Sequence, residues 1–205
     1  MLDTLTYIDK QWLLAINGAH SPWADALFWH VSQAVTWLPL YIVLLACLII
    51  KFRHHWKVML IALVLFAVAV GGADIICAQI IKPLVARPRP THDAELSALI
   101  HVVNGYYGGA YGFCSNHAAN VSACAILTIA IFTHNQPKRT HLYVTVPIII
   151  WVLLNCYSRM YLGVHYPTDI LVGLMIGCVT ALAAWQWGKR YLFPNDAHGH
   201  PDVEE

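Results

Sequence analysis

The chain has 205 residues, of which 59% are hydrophobic and 11% charged, with a formal net charge of +1 at neutral pH. Soluble domains carry about a quarter charged residues, so this composition argues against a water-exposed globule. The Lys and Arg residues form short clusters instead of one basic stripe, which argues against a nucleic-acid surface.

The first stretch, "MLDTLTYIDKQWLLAING", lacks the basic segment and apolar core of a cleavable signal peptide. Its apolar residues Leu2, Leu5, Ile8, Trp12, Leu13 and Ile16 recur at helical spacing, which predicts an amphipathic helix lying on the membrane surface. Five long apolar segments follow, at 26–50, 56–81, 117–132, 142–157 and 169–187. A membrane-crossing helix takes roughly 20 mostly apolar residues. The expected fold is therefore an all-α integral membrane protein: five to six transmembrane helices in a single bundle, with an N-terminal amphipathic helix. Residues 1–192 form one membrane domain in this reading, and 193–205 form a polar, disordered tail. The six cysteines (Cys47, Cys77, Cys114, Cys124, Cys156 and Cys178) lie in or beside apolar runs, with no spacing that suggests zinc. They read as small buried hydrophobes. "NVS" at 120–122 falls inside a span, where a glycosylation acceptor has no use.

Basic residues near the span ends predict orientation. Lys51, Arg53, Lys57, Lys138, Arg139, Lys189 and Arg190 share one side, which is expected to be cytoplasmic. Lys10, Lys82, Arg87, Arg89 and Arg159 fall on the other. With five spans of alternating direction, the end of the second, the start of the third and the turn between the last two emerge on that second face. They hold Lys82, Arg87 and Arg89; then Ser115, Asn116 and His117; then Ser158, Arg159, His165 and Asp169.

Taken singly, each group has a plain structural explanation. Lys and Arg at span ends snorkel to headgroups, Ser or Asn caps a helix, and a salt-bridged turn precedes Pro167. Three independent anchors, however, have no reason to share one face. Together they supply what phosphoryl transfer without a metal requires. Arg forks and a Lys point charge hold spread negative charge, and a helix N-terminus adds backbone donors. A neutral imidazole can attack phosphorus while a carboxylate on its other nitrogen fixes the tautomer. His165 and Asp169 are four apart and meet on one face if the turn is helical. His117 could protonate the leaving oxygen and then activate water. No HExxH, carboxylate cluster or nucleotide loop is present, so neither metal nor other cofactor is expected.

The chain resembles the type 2 phosphatidic acid phosphatases. Their signature is Lys, six residues, Arg-Pro; then Pro-Ser-Gly-His; then Ser-Arg, five residues, His, three residues, Asp. "KPLVARPRP" places Lys82, Arg89 and Pro90 in register, and "SRMYLGVHYPTD" places Ser158, Arg159, His165 and Asp169 in register. "CSNH" keeps Ser115 and His117 but has Cys114 and Asn116 for the family's Pro and Gly. The resemblance implies that His165 is phosphorylated, Asp169 orients it and His117 acts as acid and then base. Lys82, Arg89, Ser115 and Arg159 would hold the phosphate, with Asn116 as an added contact and no metal. Arg87 lies outside the signature and is read as a headgroup or second-phosphate contact. The implied activity is a lipid phosphate or pyrophosphate phosphatase in the cytoplasmic (inner) membrane, its site facing the periplasm or cell exterior. Its partners would be the bilayer and a lipid phosphate, with no nucleic acid and no obligate protein partner. Candidate substrates are undecaprenyl pyrophosphate, phosphatidylglycerol phosphate, phosphatidic acid and lipid A; the minimal chain leans the choice toward the polyprenyl pyrophosphate. Rival readings are a phosphotransferase, a transporter or binder of phosphorylated lipid, and a haem protein.

Overall fold

The computed structural model describes residues 2–194, so the expected tail lies outside the described residues apart from Phe193 and Pro194. Phe193 belongs with the packed structure: its ring lies 4.1 Å from that of His134 and 6.1 Å from that of Trp185. In chain order the helices are α1 (Leu2–Gly18), α2 (Pro22–Val31), α3 (Leu38–Lys51) and α4 (Trp56–Ile75). A π-helical turn over Ile76–Ile81 leads into the short α5 (Lys82–Val85), and then come α6 (Asn116–Thr133), α7 (Lys138–Tyr161) and α8 (Pro167–Leu192). Among the described residues, five segments are long and apolar enough to cross a membrane: Ala34–Lys51, Trp56–Val85, Asn116–Thr133, Lys138–Tyr161 and Pro167–Leu192. The protein is an all-α multi-pass membrane protein.

The apolar run expected as one span over 26–50 is broken in two. α2 ends at Val31, whose carbonyl accepts the Trp37 indole N–H at 2.7 Å, while the Ser32 hydroxyl donates to Trp29 O. Side chains thus take the carbonyls that a continuing helix would use, and Pro39 starts α3 because it fits only a first turn. The fourth and fifth spans run longer than expected, to 24 and 26 residues. Pro147 sits inside α7, where surrounding helices tolerate it.

α6 forms the centre of the bundle and packs against α4, α7 and α8. α8 reaches it through small residues: a Cβ at Gly173 would lie 2.5 Å from the carbonyl oxygen of Ser115. Gly177, Ala181 and Gly188 extend this buried stripe along α8. In a bilayer such small faces let backbones approach and pack where no water-driven burial operates.

α1 sits on the periphery with unusual polarity. Asp9, Leu13 and Asn17, four apart, are buried against the protein, whereas Leu5, Ile8 and Trp12 are exposed. Asn17 donates to the carbonyls of Tyr161 (2.7 Å) and His101 (2.9 Å) and accepts from His101 N–H. The connection from α5 to α6 folds over this end of the bundle. Its two arms pair where Arg89 N–H donates to Ala110 O and Gly112 N–H donates to Arg87 O.

Candidate active site

Three elements converge beneath that connection. The π turn before Lys82 rotates the chain less per residue than a regular α-helix does, which re-aims the Lys82 side chain around the helix axis. Its ammonium thereby meets the Asn116 side-chain oxygen at the start of α6. Ser115 caps α6, its hydroxyl accepting from Ala118 N–H, and its own N–H donates to Asp169 O on α8. The turn between α7 and α8 supplies His165, with Pro167 at the first position of α8 and Asp169 in its first turn. Asp169 Oδ2 accepts Tyr166 N–H at 3.0 Å, satisfying one of the open donors at that helix start.

His165 and Asp169 are both buried, with Nδ1 facing Oδ2 at 3.4 Å. That contact leaves Nε2 as the ring nitrogen free to react. Burial, followed by the charges of Arg89, Arg159 and Lys82, holds the His165 pKa well below 6.5, so the imidazole is neutral at physiological pH. Arg89 is anchored through Nε to Tyr111 O (3.1 Å) and through Nη1 to Val164 O (3.4 Å). Its pKa is lowered by burial and by neighbouring Arg159. Arg159 donates to the Tyr106 hydroxyl at 3.1 Å, and its buried Nε has no hydrogen-bond partner among the described residues. Burial tends to raise the Tyr106 pKa, but Arg159, Arg89 and Lys82 together bring it below the usual phenol value. Among the described residues, none of these three cations is within ion-pair distance of a carboxylate. A buried cationic cradle with an orphaned guanidinium N–H calls for an anion.

His117 Nε2 lies 3.0 Å from Asn155 Oδ1. Asn155 donates its own NH₂ to Trp151 O at 2.8 Å, which turns its oxygen toward the imidazole. Nε2 of His117 must then carry the proton, leaving Nδ1 as the nitrogen that can exchange one with a substrate. Ser158, in register with the signature, donates to Asn155 O at 2.6 Å and is spent within its own helix.

Two residues make contacts that their sequence reading did not include. Arg87, read from sequence as a headgroup or second-phosphate contact, is engaged by carboxylates of the protein itself. It bridges Asp169 (Nη1 to Oδ1, 3.0 Å) and Asp9 of α1 (Nη2 to Oδ2, 2.7 Å), with its guanidinium 3.7 Å above the Tyr166 ring. Asn116 likewise donates its amide to Asp74 Oδ1 at 2.8 Å while its oxygen holds Lys82. Asn120 donates to the same carboxylate oxygen at 3.0 Å. Asp74, Asn155, Tyr106 and Asp9 were not singled out from sequence. A lone carboxylate or amide inside an apolar span was the available signal for Asp74 and Asn155.

Known proteins place this geometry in context. Residues 62–192 match the PAP2 superfamily. The chain is 39% identical over 178 residues to the lipid A 4′-phosphatase of Bacteroides thetaiotaomicron, covering 86% of this chain and 75% of that protein. It is 31% identical over 194 residues to the lipid A 4′-phosphatase of Porphyromonas gingivalis, covering 94% and 76%. The crystal structure of a PAP2-type phosphatidylglycerolphosphate phosphatase from Bacillus subtilis superposes with a TM-score of 0.67 at 21% identity, covering 91% of this chain and 87% of that one. The signature residues meet on one bundle end and the family match spans four of the five crossing segments, so the chain belongs to the PAP2 superfamily.

Proposed function

We propose that the protein removes a phosphate from a lipid A-type glycolipid, through a phosphohistidine and without a metal. The observation that carries this reading is the buried His165–Asp169 pair facing three cations that lack carboxylate partners. The two lipid A 4′-phosphatases, similar along most of the chain, favour lipid A over the polyprenyl pyrophosphate toward which the sequence leaned.

In this mechanism Lys82, Arg89 and Arg159 hold the phosphate oxygens, joined by the open N–H groups at the α6 start beside Ser115. Nε2 of His165 attacks phosphorus, the bond from phosphorus to the sugar oxygen breaks, and protonated His117 gives that oxygen its Nδ1 proton. Asp169 accepts the Nδ1–H of His165 and stabilises the positive charge that develops on the ring. Neutral His117 then takes a proton from water, whose oxygen displaces His165 from phosphorus and releases inorganic phosphate. The site opens on the outer face of the inner membrane, a placement supported by Lys51, Lys189 and Arg190 lying at the opposite ends of their helices. Residues 1–192 act as one membrane domain.

The test is phosphate release by purified protein in detergent with EDTA, across lipid A, phosphatidylglycerol phosphate, phosphatidic acid and undecaprenyl pyrophosphate, with His165→Ala alongside. EDTA-resistant release that is greatest from lipid A and lost in the variant is expected. Release abolished by EDTA, or retained in the variant, refutes the mechanism; no release from any lipid favours a transferase or a binder.

A further inference from the structure

We infer that Asp9, on the peripheral helix α1, is a positioning residue for the reaction, acting through Arg87 on the Asp169 carboxylate that orients His165. This inference rests on the His165 mechanism proposed above. α1 lies outside the region that matches the family, which begins at residue 62.

A carboxylate buried on a peripheral helix is costly unless it is fully engaged. Asp9 is 3% exposed, and both of its oxygens accept hydrogen bonds. Oδ1 accepts Thr168 N–H at 2.9 Å, an open donor in the first turn of α8. Oδ2 accepts both the Thr168 hydroxyl and Arg87 Nη2. Arg87 reaches onward through Nη1 to Thr168 Oγ1 at 2.8 Å and Asp169 Oδ1 at 3.0 Å. One guanidinium is therefore shared between two carboxylates that flank the same helix start.

The sharing decides how Asp169 faces the nucleophile. An Arg fork left to one carboxylate prefers to bind both of its oxygens side by side. Here Asp9 holds one arm of the fork, so Arg87 takes only Oδ1 of Asp169 and leaves Oδ2 for His165 Nδ1 and Tyr166 N–H. The Tyr166 ring beneath Arg87 and the Tyr166 hydroxyl bond to Asp93 (3.0 Å) fix the plane of the fork. Removing the Asp9 charge frees Arg87 to chelate Asp169 and draw Oδ2 away from a contact that is already long. Neighbouring Lys10 offers a control on the same helix, because it pairs with Glu95 at 2.6 Å, reaches Asp93 only at 3.9 Å and touches neither Arg87 nor Asp169.

The experiment measures kcat and KM for bisphosphorylated lipid A, and competitive inhibition by inorganic phosphate, on full-length protein in detergent. Asp9→Asn is expected to lower kcat on the order of 10- to 100-fold, while KM and the phosphate inhibition constant stay within about threefold, because misplacement of a reacting group costs turnover more than binding. In an Arg87→Met background the same change is expected to have no further effect, since the intermediary is gone. Lys10→Ala is expected to match wild type. Wild-type kcat in Asp9→Asn, equal fold losses in both backgrounds, or an equal loss in Lys10→Ala would overturn the inference. Should Asp9→Asn not give monodisperse protein, Arg87→Lys decides, as a single ammonium cannot span both carboxylates: lost kcat at unchanged phosphate inhibition supports the inference and wild-type kcat overturns it. Inactive wild type, or active His165→Ala, would instead signal failure of the proposed mechanism.

Discussion

Gly112→Ala tests the packing of Asp169, the partner of His165, without replacing any residue of the proposed site. A Cβ at this position would lie 2.9 Å from Asp169 Oδ2, 3.2 Å from Arg89 Cγ and 3.6 Å from Arg89 Cα. Ordinary carbon–oxygen contact begins at about 3.4 Å, so the carboxylate or the loop must shift by about 0.5 Å. The loop is tied by Gly112 N–H to Arg87 O at 2.9 Å, and Asp169 is held by Arg87 and Tyr166 N–H, so neither yields freely. The His165–Asp169 contact of 3.4 Å has no slack to absorb the shift. If displacement of about 1 Å costs on the order of 100-fold, half of that costs roughly tenfold in kcat. Overpacking would also lower stability by about 1–3 kcal/mol. The assay is steady-state phosphate release from lipid A, with thermal unfolding in the same detergent. Wild-type kcat with an unchanged unfolding temperature would refute the reasoning, because it would mean that Asp169 has room to move that the structure denies.

Four further outcomes are expected. Because burial and three cations keep the His165 pKa well below 6.5, single-turnover phosphorylation should not fall as pH drops from about 7 to about 6, as it would for an ordinary imidazole; a decline through that range contradicts the neutral-nucleophile account. The same depressed pKa has a stability consequence of fixed sign: the unfolded chain takes up a proton below 6.5 that folded His165 refuses, so this contribution is complete above 6.5 and is lost on acidification, measurable as an unfolding temperature that falls with pH. Asn155→Ala removes the group that fixes the His117 tautomer and is expected to lower kcat about tenfold with KM little changed; a rise in KM alone would place His117 in binding only. Asn116→Gly releases Lys82 from its oxygen, a bond to a charged group worth about 1.5 kcal/mol, so KM should rise roughly tenfold; an unchanged KM would show that Lys82 needs no such anchor.

Much of the site was legible because its chemistry is written in fixed spacings. Lys82 with Arg89, Ser115 with His117, and Arg159 with His165 and Asp169 each come from one short segment, and alternating spans oblige those segments to share a face. Partners that depend on distant packing were not legible. Arg87 finds Asp9 across 78 positions, and no local pattern announces that meeting. The spacing of Asp9 and Asn17 by eight residues, two polar groups on one helical face, was a clue that the apolar periodicity of α1 concealed. The break at 32–37 escaped for a similar reason: averaged apolarity is blind to the Trp37 indole and Ser32 hydroxyl that occupy the helix carbonyls. Asn116, read from sequence as an added phosphate contact, also holds Lys82, while Asp74 one helix away takes its amide, and neither partner was visible in the local spacing.

The small-residue seam between α6 and α8 bears on how the protein meets membranes of different thickness. His117 rides on α6 and His165 on the turn that enters α8, so the gap between the two imidazoles is set by a seam in which backbone faces backbone. Bilayers that are too thick or too thin are accommodated by helix tilt, which falls on elements free to lean. α3, whose outward face carries the exposed Ile42, Val43, Ile49 and Ile50, can lean; the α6–α8 pair, locked at Gly173 and Gly177, cannot. Turnover is therefore expected to survive changes of acyl-chain length in the host bilayer that visibly retilt the outer helices.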